Sequence, residues 1–248
     1  RDDRQHQSDY ETEVKMYRAL EIGLDENYTI VHSFKYSHHQ YRLCVGTEGH
    51  IRKGCSKCKG KNAEKQEGEC DFVIICAESF IVIEVKNMEN VGEVVECEPD
   101  FHLCSIGEDW QPECNREQQL KALNGTFQKS VKQRNKIVEL IQCIDKNAHI
   151  LQFTAYPNFS KQFKDEFQCS EKTELRLSDD ELSTIIFEED VYNFLAWWEL
   201  NVTRSISSVR RSSLQTASST EIPIAELNQD SHEKARNILL AIWATERD

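Results

Sequence analysis

Three charged residues, Asp71, Glu84 and Lys86, lie beside or inside apolar runs that have the length of β-strands. The segment CDFVIICAESFIVIEVKN (70–87) contains two such runs separated by a short polar pair, and this pattern predicts a β-hairpin. A charged side chain in an apolar strand costs free energy unless something pairs with it. Asp71 opens the first strand and could come within a few ångströms of Glu84 in the second. Because two carboxylates at that distance repel, the hairpin predicts a hard oxygen-ligand site for Mg²⁺ or Mn²⁺.

The second strand could supply the remaining groups of such a site. Side chains alternate along a strand, so Lys86 is expected on the same face as Glu84. There its ammonium could orient a water, stabilise hydroxide or neutralise phosphate charge, while the backbone carbonyl of Val85 and waters complete the metal ligands. The alternative is a cross-strand Asp–Lys or Glu–Lys ion pair without metal, because an Asp, twelve residues and then Glu-x-Lys is a loose spacing.

The elements that must position these residues alternate between helices and strands. Apolar positions at helical spacing predict helices over 8–22, 127–144, 188–200 and 224–247. Besides the hairpin, runs rich in β-branched and aromatic residues predict strands over 28–34, 41–45, 149–156 and 183–187. This order predicts an α/β fold, with a mixed β-sheet that has the hairpin at its centre and helices on its flanks.

Further motifs accompany the hairpin. In chain order they are Glu13 with Met16 and Leu20, Asp71-Phe72-Val73, Glu84-Val85-Lys86-Asn87, a Gln- and Lys-rich helix from Gln128 to Ile141, and a late strand with a Trp-containing helix over 183–200. In this combination the chain resembles the nuclease-related domain (NERD) family of the PD-(D/E)xK nuclease superfamily over roughly residues 9–200. The family commonly has Glu-Ile-Asp or Glu-Val-Asp at the first strand, where this chain has Glu69-Cys70-Asp71 and keeps both acids.

The resemblance implies a restriction-endonuclease-like core and metal-dependent hydrolysis of phosphodiester bonds, with DNA favoured over RNA. Asp71 and Glu84 would hold the metal, and Lys86 would position the attacking water. Glu13 would support the metal or the water from the first helix. The alternative function is a catalytically inactive nuclease fold that acts as a nucleic-acid or protein binding module. The intact set of Asp71, Glu84 and Lys86 argues against the inactive fold.

The resemblance also assigns residues to nucleic-acid binding. Gln128 would lie near the scissile phosphate, with Gln119 as the alternative match to the family's glutamine. Lys129, Lys132 and Arg134 would contact the nucleic acid from the same helix. They belong to the run 128–136, which carries four positive charges and no acid. The net charge of −13 therefore does not exclude a nucleic-acid partner, because a locally basic surface can hold phosphates.

The domain organisation is predicted from changes in composition. Residues 1–202 form the nuclease-like domain, in which 46–69 and 88–127 read as irregular insertions. A Ser/Thr-rich linker follows over 203–222. Residues 223–248 hold a C-terminal helix whose apolar face needs a partner or begins a further domain. The chain starts with Arg1 and is expected to be a piece of a longer protein.

The ten cysteines allow disulfides, metal ligands or buried thiols. Cys55-x2-Cys58, with Cys70 twelve residues later, could form a structural Zn²⁺ site, against free thiols in a loop. Four N-glycosylation sequons would suit a secreted chain, but a domain of this length needs no disulfides. The prediction is therefore a reduced, intracellular protein. No run of 18 apolar residues occurs, so no membrane partner is expected.

Overall fold

The computed structural model describes residues 2–36, 68–88, 94–97, 100–103, 116–161, 177–208 and 224–245. The helices are α1 (Asp2–Gly23), α2 (Arg116–Ile144), α3 (Asp179–Ser183), α4 (Glu188–Tyr192), α5 (Phe194–Trp198) and α6 (Ile224–Thr245), with a π-helical turn over Glu199–Thr203. The strands are β1 (Thr29–Tyr36), β2 (Gly68–Ile75), β3 (Phe80–Val85), β4 (Val94–Cys97), β5 (Asp100–Leu103), β6 (Ile150–Ala155) and β7 (Ile185–Ile186). The strand predicted over 41–45 lies outside the described residues.

Five of the strands form a mixed sheet in the order β1-β2-β3-β6-β7. β1, β2 and β3 are antiparallel neighbours, whereas β6 and β7 are parallel. The turn between β2 and β3 is closed by the backbone N–H of Cys76, which donates to the carbonyl of Ser79 at 3.1 Å. The predicted α/β fold with a central hairpin is confirmed, and the sheet with its flanking helices is consistent with a restriction-endonuclease-like core.

The chain divides into two compact units, each with its own buried cluster. Unit 1 comprises residues 1–19, 85–131 and 154–193, and unit 2 comprises residues 20–84, 132–153 and 194–248. The cluster of unit 1 contains Phe127, Tyr156, Phe159, Leu177, Leu182, Ile185 and Phe187. The cluster of unit 2 combines residues of β1, β2 and β3 with Ile137, Leu140 and Ile141 of α2 and with Ala235, Leu239 and Ile242 of α6.

Helix α6 buries its apolar face within unit 2. Leu239 and Ile242 are almost completely buried in the unit 2 cluster. The indole N–H of Trp243 donates to the backbone carbonyl of His32 in β1 at 2.9 Å. At the other end of the helix, Nε2 of His232 donates to the carbonyl of Cys76 at 2.8 Å. The face that the sequence left without a partner is therefore covered by the strands of unit 2.

Three helices differ from their predicted bounds, and the first of them, α1, begins at Asp2 instead of residue 8. Helix α2 begins at Arg116, within the segment predicted as irregular over 88–127. Its first eight residues, REQQLKAL, are good helix formers but show no apolar stripe. The start of α2 is therefore indicated by helix propensity and not by hydrophobic periodicity. The helix predicted over 188–200 is interrupted at Asn193, whose side chain donates to the carbonyl of Glu189 at 3.0 Å. Such local side-chain bonds compete with helix continuation.

We expect Leu239→Ala to lower the free energy of unfolding by about 2–5 kcal/mol, because it removes a fully buried side chain and leaves a cavity. Asn237→Ala on the exposed side of α6 is the matched control and should change stability by about 0.5 kcal/mol or less. Denaturant unfolding of the two variants measures the difference. Equal stabilities would contradict the packing of α6 in unit 2.

A second prediction concerns His149, whose Nδ1 lies 2.7 Å from Oγ of the fully buried Ser79. Burial lowers the pKa of His149 from its ordinary value of 6.5. Between the lowered pKa and 6.5 the unfolded chain binds more protons than the folded chain, so a fall in pH through this window reduces stability. We expect the loss of unfolding free energy below pH 6.5 to be smaller in His149→Gln than in the wild type. Identical pH dependences in parallel urea titrations would refute this.

Candidate active site

Asp71 and Glu84 lie at the same end of the β2–β3 hairpin. The antiparallel ladder pairs Ile75 with Phe80 and continues to Phe72 with Ile83, and Asp71 and Glu84 are the residues next to this last pair in the two strands. Glu84 is only 2% exposed, whereas Asp71 is partly exposed between two buried neighbours. The two acids that the sequence predicted as metal ligands therefore lie at one end of the hairpin, and their role as ligands stays a prediction.

The buried thiol of Cys70 lies beside both acids. Its Sγ is 3.1 Å from the carbonyl oxygen of Ile83 and 3.4 Å from that of Phe72. The pKa of Cys70 is raised well above its ordinary value, first by burial and then by the negative charges of Glu84 and Asp71. Cys70 is the chain neighbour of Asp71, and its side chain contacts the backbone of β3 directly before Glu84. Cys55 and Cys58, predicted with Cys70 as zinc ligands, lie outside the described residues.

The donor set of this pair suits a hard divalent cation. Among the described residues there is no group of three or more His, Cys, Asp or Glu side chains placed to hold a metal. Mg²⁺ in proteins is usually held by one or two carboxylates, with several waters and substrate phosphates as the other ligands. Two opposed carboxylates, one buried and one partly exposed, fit that pattern. Val85, whose carbonyl was predicted as a further ligand, ends β3 and is 7% exposed.

Lys86 belongs to unit 1, where its backbone is held at the end of β6. Its N–H donates to the carbonyl of Ala155 at 2.8 Å, and the next residue along β6, Tyr156, donates its N–H to Ile186 of β7 at 2.8 Å. The Lys86 side chain is partly buried. These backbone bonds fix where the lysine leaves the sheet.

Glu13 also belongs to unit 1, on α1, and an unpredicted lysine anchors that helix. Nζ of Lys15 donates to the carbonyl of Pro157 at 2.6 Å and pairs with Oε1 of Glu188 at 2.9 Å. One turn earlier, the side-chain amide of Asn158 donates to Oγ1 of the buried Thr12 at 3.0 Å. Nothing in the sequence distinguishes Lys15 from a solvated helix residue, since its partners lie more than 140 residues away.

Helix α2 carries the residues predicted to contact nucleic acid, and the structure separates them. Gln128, Lys129 and Lys132 are exposed. Arg134 is only 3% exposed and lies on the line of α2 that also buries Ile137 and Ile141. The prediction of Arg134 as a phosphate contact therefore disagrees with the structure, because helical spacing turns its side chain inward.

Asp71 and Glu84 belong to unit 2, while Glu13, Lys86 and Gln128 belong to unit 1. The family model of the nuclease-related domain (NERD) matches residues 8–145, more than half of the chain and a range that includes all five of these residues. The chain therefore belongs to the nuclease-related domain family, as predicted. Searches of curated proteins and of solved structures each found no match. In the described part of the chain, no helix has both the length and the apolar character needed to cross a membrane.

Removal of one negative charge from the candidate site is expected to change the melting temperature differently with and without metal. If the two acids repel across the strands, as like charges on neighbouring strands do, Asp71→Asn should raise the melting temperature in EDTA. The same substitution should reduce the stabilisation that Mn²⁺ gives, because it removes one of the two carboxylates. Asp25→Asn, at an exposed position in the turn after α1, is the control and should leave the response to Mn²⁺ unchanged. Thermal unfolding of the wild type and both variants, with and without Mn²⁺, measures these changes in melting temperature. A lower melting temperature of Asp71→Asn in EDTA would show that the acids do not repel.

Proposed function

We propose that this chain is a Mg²⁺- or Mn²⁺-dependent nuclease that hydrolyses phosphodiester bonds, with DNA as the favoured substrate. The observation that carries the proposal is the register of the hairpin, which puts Asp71 and Glu84 next to the last pair of its ladder in a member of the nuclease-related domain family. Neither feature alone is sufficient, because a family can include inactive members and two nearby acids can be structural. Together they support a site with carboxylate ligands.

Asp71 and Glu84 hold the cation in this proposal. When bound, the cation supplies a Lewis acid that makes water more acidic and offsets the charge of the phosphate. The side chain of Glu84 is almost completely buried, so its charge would act in a low-dielectric environment where electrostatic interactions are strong. Asp71 is partly exposed, which is consistent with access of a substrate from the solvent.

Lys86 follows Glu84 by two residues and would position the attacking water with its ammonium group. The backbone bond from Lys86 to Ala155 supports this role, because a fixed backbone limits the region that the side chain can reach. Glu13 would orient the same water or a ligand of the cation. The anchoring of α1 through Lys15 supports a fixed position for that helix within unit 1.

Gln128, Lys129 and Lys132 would hold the phosphate backbone next to the scissile bond. They are exposed near one another on α2, at the spacing that places helix residues on neighbouring parts of the surface. Contacts of this kind are electrostatic and weaken as salt rises, with a slope of log affinity against log salt of about 0.9 for each phosphate that is neutralised in duplex DNA. Removing both lysines should reduce that slope and should weaken binding on all sequences equally.

The test is cleavage of labelled single- and double-stranded DNA and RNA in Mg²⁺, Mn²⁺ or EDTA. The wild type should cut only with metal, and Asp71→Ala should not cut. Lys86→Ala should lose roughly 10²–10³-fold in rate, the usual cost of one preorganised group at a charged transition state. Lys234→Ala, at an exposed position of α6, is the matched control and should cut at the wild-type rate.

Two outcomes would overturn the proposal. Full activity of folded Asp71→Ala or Lys86→Ala would remove these residues from the mechanism. No cutting by the wild type, with nucleic-acid binding retained, would favour the inactive fold that acts as a binding module.

A further inference from the structure

Ser33 adopts a backbone conformation that L-residues avoid. Its φ is 53°, and it is the one non-glycine residue with positive φ in the described part of the chain. It lies inside β1, where extended backbone is the rule. A non-glycine residue in the left-handed region carries strain, and such strain persists only where the surroundings impose it.

The strained residue faces Asp71. The ladder between β1 and β2 pairs His32 with Phe72 and Phe34 with Cys70, but the rung between them, Ser33 with Asp71, forms no pair. The register is the same on both sides of this gap, so no residue has been inserted. Asp71 therefore lies at an interrupted rung on its β1 side, and on its β3 side it lies next to the last pair of the ladder, Phe72 with Ile83.

In both strands the regular alternation of side chains between the two faces of the sheet is broken at this rung. Val31 and Phe34 of β1 lie in the same buried cluster, and so do Cys70 and Val73 of β2. Residues three apart on a regular strand point to opposite faces, so each strand has changed face between them. The next pair along, Lys35 and Glu69, points outward and forms an exposed ion pair at 2.7 Å. Without the shift, regular alternation would turn that ion pair toward the buried cluster.

We propose that Ser33 is a positioning residue for the candidate metal site, whose left-handed backbone produces the shift that sets the direction of the Asp71 carboxylate beside Glu84. Asp71 is the residue at which β2 makes the shift, and it is partly exposed while Cys70, Phe72 and Val73 are completely buried. The strained residue Ser33 therefore lies opposite Asp71, the residue proposed to bind the cation. This inference rests on the proposed function, because it assumes that Asp71 binds the cation.

The test is Mn²⁺ affinity, measured by calorimetry on the full chain with three variants of Ser33. Glycine and asparagine tolerate positive φ, so Ser33→Gly and Ser33→Asn should bind Mn²⁺ like the wild type. Ser33→Val should lose roughly 10- to 100-fold in affinity, the usual cost of removing support from a metal ligand, because a β-branched residue resists positive φ. Lys35→Val, two residues along the same strand and exposed, is the matched control and should keep wild-type affinity.

Each variant is first checked for folding by circular dichroism, and Ser33→Thr, which is β-branched but keeps the hydroxyl group, replaces Ser33→Val if the latter does not fold. A folded Val or Thr variant that binds Mn²⁺ as tightly as Ser33→Gly would overturn the inference while leaving the nuclease proposal intact. A wild type that binds no Mn²⁺ would overturn both. A wild type that binds Mn²⁺ but cuts nothing would overturn only the nuclease activity, since the affinities still decide the role of Ser33.

Discussion

The placement of two acids, Asp71 and Glu84, at one end of an apolar hairpin is the constraint on which the proposed site depends. The ladder of β2 and β3 ends with Phe72 and Ile83 next to the two acids, and the turn closed between Cys76 and Ser79 keeps that register. Glu84 is buried, so water would screen a charge on it only weakly. In the proposed function a cation would offset that charge, so the cation and the hairpin are expected to stabilise each other.

The apolar packing of unit 2 is what holds such a hairpin together. Every residue of β3 is buried, and the cluster around it is completed by α2 and by α6. Helix α6 lies beyond residue 145, where the family match ends, yet Leu239 and Ile242 supply part of this core. The folded core of unit 2 therefore extends further along the chain than the range that the family model matches, and shortening the chain to residues 8–145 would expose the apolar residues that α6 covers.

Hydrophobic periodicity in the sequence predicted the hairpin. It did not predict the features that depend on contacts between distant parts of the chain. The hairpin was readable because two apolar runs flank a short polar turn. The burial of Arg134 was not, since a basic run reads as an exposed face until the phase of the helix is fixed by its apolar residues. The positive φ of Ser33 was also unreadable, because serine carries little preference for that conformation, and the rung opposite it is known only from the fold. Lys15 was missed because its partners are distant in sequence.

The most direct test of this account is anomalous diffraction from crystals grown with Mn²⁺. We expect one anomalous peak within ligand distance of the carboxylates of both Asp71 and Glu84, and no peak at this position in crystals of Glu84→Gln. A well-ordered hairpin with the two carboxylates as described and no peak between them at saturating Mn²⁺ would contradict the account.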